Sequence, residues 1–263
     1  MNQDCTVIML DIRNFTDTFS KFCDDNDFFR LIEDVYKTGI VLAEDFTGTD
    51  FYINATGDGF LLILFGENHY LSGYLIAFFL IKYLTPMFEN FFEYRRNVKS
   101  HKEGDYYFGI GLESGNVRKA EGKTLNTDVV TYLGDVINIT ARLESITKDH
   151  ARAPIIFGNE INEKLTFYFF NESYKELMTK AKRARKNEII KSIHQKMNEI
   201  NAFFLSSYIY EHRLKGVEKH YPTFRISPAL MENDDFSFRN IIDKLPQSMQ
   251  HLCKKYETLE KII

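Results

Sequence analysis

Apolar and polar positions predict alternating strands and helices along the first part of the chain. Residues 6–10 form a compact apolar run, typical of a buried strand, that ends at Asp11. Either Asn14 or Thr16 then offers a side chain to cap a helix that continues through the 20s. Apolar residues at helical spacing predict a second helix over 27–46.

A β-hairpin is predicted next. Residues 50–55 alternate as a strand does, and residues 60–65 form a returning strand. The segment between them contains Gly57, Asp58 and Gly59. Glycine-rich segments between apolar runs favour tight turns, so we expect Asp58 at the tip of the hairpin.

The longest apolar stretch lies in a helix predicted over 70–94. It runs from Tyr70 to Leu84 and is interrupted by Lys82, which makes it too short to cross a bilayer comfortably. We therefore expect a buried core helix and no direct insertion into a membrane. A charged loop is predicted around 95–105.

The later half continues the alternation. Residues 106–112 predict a strand that leads into a turn at Gly115, residues 135–146 predict a helix, and residues 154–157 predict a short strand. Two further strands are predicted within 208–226, joined at Lys215 and Gly216.

These elements predict one mixed α+β domain over residues 1–227. A helical insertion is predicted near 175–205, and residues 228–263 predict a C-terminal helical tail. The part of the insertion around 180–196 is basic. A solvated helix face is the usual explanation of such a run, and contact with RNA or an acidic partner is the alternative.

Composition narrows the possible functions. A chain of 263 residues with 44% apolar content can bury a real core, and its formal net charge of -4 argues against a general nucleic-acid binder. A phosphate-bearing substrate stays compatible because metal ions supply local positive charge. Three cysteines without paired spacing fit a reducing compartment, and the polar start predicts no signal peptide. We therefore expect a cytoplasmic protein.

Two carboxylates carry the candidate chemistry. Asp11 ends a buried strand just before a helix, where the carboxylate can hold a cation while the amides of the turn face phosphate oxygens. Asp58 lies between two glycines, where a ligand can approach closely. Taken singly, Asp11 could be a helix cap and Asp58 a turn residue. Two acids from neighbouring strands, however, form the usual support for two-metal phosphoryl transfer.

A polar pair lies on the helix predicted over 135–146. Asn138 and Arg142 are four residues apart, so both side chains leave one face of that helix together. By itself this spacing is equally typical of a solvated helix surface. Asn138 and Arg142 indicate a functional site only in combination with the two carboxylates.

Several segments resemble, in the same order, the motifs of class III nucleotidyl cyclases, the adenylate and guanylate cyclase catalytic domain family. Residues 7–16 (VIMLDIRNFT) resemble the first metal motif, and residues 55–62 (ATGDGFLL) resemble the second. Residues 108–117 (FGIGLESGNV) resemble the strand and glycine turn that follow. Residues 133–144 (LGDVINITARLE) resemble the transition-state helix, and residues 214–216 (LKG) resemble the late strand.

The resemblance implies the fold and the metal centre. It implies a ferredoxin-like palm of α+β class, with a central, mostly antiparallel sheet and flanking helices, paired head to tail into a homodimer with shared active sites. It also implies two divalent cations, Mn²⁺ or Mg²⁺, held by Asp11, Asp58 and the carbonyl of Ile12.

The resemblance implies the substrate contacts as well. The backbone from Arg13 through Phe15 to Thr16 would cradle the β- and γ-phosphates of a nucleoside triphosphate. Asn138 of the partner subunit would position the ribose, and Arg142 of the partner subunit would contact the phosphates. The implied reaction is in-line attack of the ribose 3′-oxygen on the α-phosphate, with pyrophosphate leaving.

The residues at the implied base pocket depart from the purine patterns. Asn54 stands where adenylate cyclases of the family carry Lys and guanylate cyclases carry Glu, and Thr131 occupies the second base-reading position. Tyr52 projects to the same strand face as Asn54, where its ring would shorten the pocket for a one-ring base. Tyr52 could equally be a packing residue.

This pattern resembles the stand-alone pyrimidine cyclases of Pycsar antiphage systems, whose cyclic UMP or cyclic CMP acts on a separate downstream effector. The amide of Asn54 can pair with uracil or cytosine by flipping, so it does not choose between them. We expect UTP to be the substrate, with cytidylate or adenylate cyclase activity as the alternatives.

Two other functions compete with these expectations. A diguanylate cyclase is suggested by the loose likeness of residues 56–60 to a GGDEF signature, but glycine replaces Glu at position 59, and that family has no place for the helix of Asn138 and Arg142. A catalytically silent nucleotide-binding domain of the same fold is the other. It is suggested because Val217 and Glu218 lie near the place of the family's late phosphate-binding lysine.

Overall fold

The computed structural model describes residues 2–93, 106–123, 128–150, 153–169, 206–212, 221–226 and 241–260. The chain divides into two compact units, Met1–Ile156 and Phe157–Ile263. The loop predicted around 95–105, the helical insertion predicted near 175–205 and the turn at Lys215 and Gly216 lie outside the described residues.

The first unit is built on a sheet whose strands follow the order β2-β3-β1-β4, with β5 paired to the far part of β4. Strand β1 runs antiparallel to both β3 and β4, and β2 and β5 pair antiparallel with β3 and β4. Its strands are β1 (Asn2–Ile12), β2 (Phe51–Ala55), β3 (Gly59–Leu64), β4 (Phe108–Lys123) and β5 (Asp128–Leu133), and β6 (Ile155–Phe157) spans the division between the two units.

Helices cover both faces of this sheet. Helices α2 (Asn26–Thr47) and α3 (His69–Glu93) pack on one face. There the ring centroids of Phe88 in α3 and Phe108 in β4 are 5.7 Å apart. Helix α4 (Asp135–Ile146) lies on the opposite face. It approaches β4 so closely that a Cβ on Gly111 would overlap the Thr140 carbonyl oxygen. The short α1 (Phe15–Phe22) follows β1 directly.

The long helix α3 is a core helix, as its sequence predicts. It is long and apolar enough to cross a membrane, but 72% of its most apolar window is buried inside the protein. Its Gly73 packs against Thr6 of β1, and its Tyr74 and Leu75 are almost completely buried. The apolar surface of α3 is therefore used by the sheet and by α2.

The sequence predictions agree with most elements of the first unit and miss three details. Asn14 occupies the N-cap position of α1 but takes a left-handed backbone conformation, with φ of 54°, and its side chain makes no capping hydrogen bond. Strand β4 does not turn at Gly115: it continues opposite Cys5 and on to Lys123. Strand β5 was not predicted, because its six residues form a strand by pairing with the far part of β4, which the sequence pattern does not indicate.

The second unit contains a helix α5 over residues 159–169, the antiparallel strands β7 (Ser206–His212) and β8 (Tyr221–Ile226), and α6 (Gln247–Glu260). Phe157 and Phe224 stack with ring centroids 6.1 Å apart, and the Tyr168 hydroxyl donates to the Lys244 carbonyl. Helix α6 lies within the tail that the sequence predicts to be helical.

Candidate active site

The structure brings Asp11 and Asp58 together at one end of the sheet. Asp11 pairs with Gly59 in the β1–β3 register, and the Ile12 amide donates to the Asp58 carbonyl at 2.9 Å. The Asp58 carboxyl group is near enough to that of Asp11 to contribute to raising its pKa. Glycine is required at position 59 because a Cβ there would overlap the Leu10 carbonyl.

A lysine from the end of α4 completes the charge arrangement. The Lys148 Nζ lies 3.0 Å from Asp11 Oδ2 and 4.0 Å from Glu144 Oε2. Burial raises the pKa of Asp11, and the hydrogen bond and charge of Lys148 only partly oppose that rise, to which Asp58 adds. Burial alone would lower the pKa of Lys148, but its hydrogen bond to Asp11 and the surrounding carboxylates raise it overall.

Glu144 adds a third carboxyl group behind these two. Its side chain is 6% exposed, and in the described part of the chain its Oε1 has no hydrogen-bond partner. Burial raises its pKa to about 7, and the charge of Asp11 contributes in the same direction, against Lys148 and Arg13. A buried acid without a partner for one oxygen favours a nearby cation or a proton.

The segment between β1 and α1 is held rigidly. The Arg13 side chain is buried, with Nη2 donating to the Thr147 carbonyl at 2.7 Å and Nη1 donating to the Tyr106 carbonyl at 3.2 Å. Asn14 accommodates the left-handed turn, a conformation that asparagine tolerates better than most residues. Helix α1 begins at Phe15, so the amides of Phe15 and Thr16 have no partner within the helix. They are available to an anion.

The base-pocket candidates on β2 share the sheet face that α4 covers. Tyr52 and Asn54 pair with Ile63 and Leu61 of β3, and Tyr52 packs on the cluster that contains Val136 of α4. The Tyr52 hydroxyl donates to the Val130 carbonyl at 3.3 Å. Asn54 is exposed.

Strand β5 brings Tyr132 to the Tyr52 ring, with centroids 5.0 Å apart, while Phe65, the residue after β3, also contacts Tyr132. The side chain of Thr131 is exposed, and strand alternation directs it away from this contact. Tyr52 is therefore a packing residue, which was one of the two roles considered for it. Its ring is also held in a fixed position two residues before Asn54 on the same strand.

Asn138 and Arg142 are not brought to the carboxylates of their own chain. The buried residues of α4, among them Thr140, Leu143 and Glu144, face the sheet. Asn138 and Arg142 lie on the opposite side of the helix, where Asn138 is exposed and Arg142 half-buried. One chain therefore separates the two halves of the expected site.

The carboxylate pair fits a hard divalent cation. Oxygen donors are the ligands that Mg²⁺ and Mn²⁺ prefer, and the buried Oε1 of Glu144 lacks a partner in the described structure. Across the described ranges, no three His, Cys, Asp or Glu side chains are arranged to hold a metal, so a cation here would be held by two carboxylates with backbone oxygen. Asp11, Asp58 and the Ile12 carbonyl are the residues that would hold it.

Sequence reasoning missed Glu144 and Lys148, although both follow closely after Arg142. A signal for them was present. Gly109 and Gly111 alternate on the face of β4 that α4 covers, which indicates that a helix approaches this strand closely. The residues at the end of that helix are thereby carried to the end of β1.

No protein-family model and no curated protein matches the sequence. Solved structures do match. A bacterial light-regulated adenylyl cyclase has a TM-score of 0.54 and 13% identity over 91% of this chain, which spans 58% of that one. The adenylyl cyclase CyaB from P. aeruginosa has a TM-score of 0.54 and 14% identity over 86% of this chain and 94% of its own.

A guanylate cyclase domain, that of RhGC from Catenaria anguillulae in complex with GTP, has a TM-score of 0.52 and 18% identity, over 86% of this chain and 98% of that one. At such identities the likeness shows the fold. The chain therefore has the α+β fold of nucleotidyl cyclase catalytic domains, with a central sheet and flanking helices, as its motifs predict.

Proposed function

We propose that the protein is a nucleotidyl cyclase that converts a nucleoside triphosphate to its 3′,5′-cyclic monophosphate and pyrophosphate. The observation that carries the proposal is the meeting of Asp11 and Asp58 at the ends of neighbouring strands, on a fold shared with adenylyl and guanylate cyclases. Two adjacent carboxylates at the ends of paired strands suit two-metal chemistry on a phosphoryl group.

Asp11, Asp58 and the carbonyl of Ile12 would hold two divalent cations, Mn²⁺ or Mg²⁺. When bound, such ions supply positive charge beside the attacking 3′-oxygen and the leaving pyrophosphate. The chain itself would supply the phosphate cradle: the amides of Phe15 and Thr16 are at the start of α1, after a loop that Arg13 fixes to the Thr147 carbonyl.

The active enzyme would be a homodimer with two shared sites. Asn138 and Arg142 leave the face of α4 that points away from their own carboxylates, so they would serve the site of the partner, Asn138 on the ribose and Arg142 on the phosphates. Exposed apolar side chains on β5 support such an interface: Val129 is 54% exposed and Leu133 is 62% exposed.

We further propose that the base is a pyrimidine and that the substrate is UTP. Asn54 lacks the charge that purine cyclases of the family carry at this position, and its amide pairs with a pyrimidine edge. Tyr52 is fixed by Tyr132 and by the Val130 carbonyl, so its ring cannot easily withdraw to admit a second base ring. Thr131, the second base-reading candidate, is exposed on the face of β5 opposite to Tyr132, so the pyrimidine assignment rests on Asn54 and Tyr52.

Cyclic UMP made in this way would act as a cytoplasmic second messenger in antiphage defence, through an effector that binds the product. This role rests on the resemblance of Asn54 and its surroundings to pyrimidine cyclases.

The test is incubation of the purified protein with ATP, GTP, CTP and UTP, each with Mn²⁺, and identification of the products by mass spectrometry. Cyclic UMP should be the main product. Asp58→Ala should reduce turnover to background, while Asp24→Ala, an exposed acid between α1 and α2, should not. A preference for ATP or GTP would refute the pyrimidine assignment, and full activity of Asp58→Ala would refute the metal site.

A further inference from the structure

Lys148 lies in the turn after α4, where its ammonium is in contact with the candidate metal centre. Its Nζ is 3.0 Å from Asp11 Oδ2 and 4.0 Å from Glu144 Oε2, while more than half of the side chain is exposed. Asp11, by contrast, is 19% exposed on its side chain. The ammonium thus approaches from solvent and neutralises a carboxylate that the protein has largely desolvated.

A divalent cation and the Lys148 ammonium would compete for Asp11. Magnesium binds carboxylate oxygen at about 2.1 Å, so a cation on Oδ2 would meet the ammonium at a distance where like charges repel strongly. The side chain of Lys148 is flexible and mostly exposed, so it can leave at little conformational expense. Loading the centre with metal would therefore release this ammonium.

A released ammonium beside a metal-bound triphosphate has phosphate oxygens as its natural partners. Arg13 is unsuited to that task because its guanidinium is buried and donates to the carbonyls of Thr147 and Tyr106. Lys148, in the turn after α4, contacts Asp11 near the end of β1, and α1 begins at Phe15, four residues after Asp11. Lysine binds phosphate as a compact point charge.

We propose that Lys148 is a substrate-binding residue of this site: it neutralises Asp11 when the site is empty and transfers to a phosphate oxygen when metal and triphosphate bind. The proposal rests on the proposed function, since it assumes a triphosphate at the Asp11–Asp58 centre. It assigns the phosphate-binding lysine to the end of α4.

The proposal predicts effects of opposite sign in one variant. In Lys148→Met, Mn²⁺ alone should bind more tightly because its competitor is gone, and inorganic tripolyphosphate with Mn²⁺ should bind more weakly because a charge-assisted hydrogen bond is lost. Each change should be about 10-fold, as expected for an interaction of that kind. Lys148→Arg retains the charge and should resemble the wild type in both measurements.

Mn²⁺ binding is measured by electron paramagnetic resonance and tripolyphosphate binding by calorimetry, so neither depends on turnover or on the preferred base. Unchanged or weaker Mn²⁺ binding by Lys148→Met, or unchanged tripolyphosphate binding, would overturn the assignment even in an active cyclase. Opposite shifts in a protein that cyclises no nucleotide would instead uphold Lys148 and refute the proposed function. Wild-type protein that binds no Mn²⁺ would overturn both.

Discussion

The Tyr52 ring packs against Tyr132 of β5 at a centroid distance of 5.0 Å, and its hydroxyl donates to the neighbouring Val130 carbonyl. Two strands that are not paired with one another thereby fix one aromatic ring beside Asn54. A ring held by a second ring and by a hydrogen bond from its hydroxyl is a rigid wall rather than an adaptable one.

Removing this wall should relax base selection. We expect Tyr52→Ala to lower the ratio of kcat/KM for UTP to kcat/KM for ATP by at least about 10-fold, because the pocket gains room for a second ring. Tyr52→Phe keeps the ring and loses only the hydrogen bond to Val130, so it should retain most of the preference. Competition assays with mixed nucleotides measure the ratio directly. An unchanged ratio in Tyr52→Ala would make Tyr52 a packing residue alone.

Glu144 should make the stability of the metal-free protein depend on pH. Its pKa is raised from the usual 4.5 to about 7, chiefly by burial, so the folded state favours the protonated acid. The contribution is fully present below about pH 4.5 and is lost as pH rises through 7; Asp11 is shifted in the same direction.

Glu144→Gln removes the part of this pH dependence of stability that Glu144 contributes. Relative to wild type, the variant should gain about 2 to 3 kcal/mol of unfolding free energy between pH 5 and pH 8. Each pH unit over which only the folded wild type holds this proton lowers its unfolding free energy by about 1.36 kcal/mol. Urea unfolding in the presence of a chelator provides the measurement, with the exposed Glu67→Gln as control. A difference between Glu144→Gln and wild type that does not vary with pH would contradict the assigned shift.

The exposed face of β5 should be needed for dimer formation. Val129, Thr131 and Leu133 alternate onto one face of the strand, and the two apolar members are more than half exposed. Leu133→Asp should give a monomer in analytical ultracentrifugation and lower cyclase activity by at least about 10-fold, because a charge at the core of an interface is unfavourable.

Val41→Asp provides the matched control for that experiment, since Val41 is 48% exposed on α2 and lies outside the proposed interface. It should leave the oligomeric state unchanged. A dimeric Leu133→Asp protein would place the interface elsewhere.

The sequence located Asp11 and Asp58 because their positions depend on local signals, a strand end and a glycine-flanked turn. Helix α4 was placed correctly at residues 135–146 for the same reason. The meeting of Lys148 with Asp11 could not be predicted in this way. It depends on how closely α4 packs on β4 at Gly111, which is a tertiary contact between segments distant from the hairpin.

Strand β5 illustrates the same limit. Its run is short, and it becomes a strand through pairing with the part of β4 beyond Gly115, where a turn was expected. Tyr132 reaches Tyr52 only because β4 continues straight at that point. The sequence therefore indicated one residue of the proposed pocket wall, Tyr52, and the contact with Tyr132 appeared only with the fold.

The proposed division of the site between two chains predicts complementation. Asp11→Ala and Arg142→Ala should each be inactive as homodimers, since each damages both sites. In a mixed dimer both substitutions lie in the same active site, and the other active site contains neither of them. Random pairing of equal amounts should therefore restore about a quarter of the wild-type activity, because half of the dimers have one intact site of two.

Mixing Asp11→Ala with Asp58→Ala is the matched control, because both substitutions affect the metal-binding half and every mixed dimer has two damaged sites. Co-expression with two affinity tags isolates the mixed dimers before the assay. Their activity should be about half that of the wild type for the first pair and background for the second. Equal activity in the two mixtures would mean that Arg142 does not act across the interface, and would contradict the role proposed for it from the outward direction of Asn138 and Arg142 on α4.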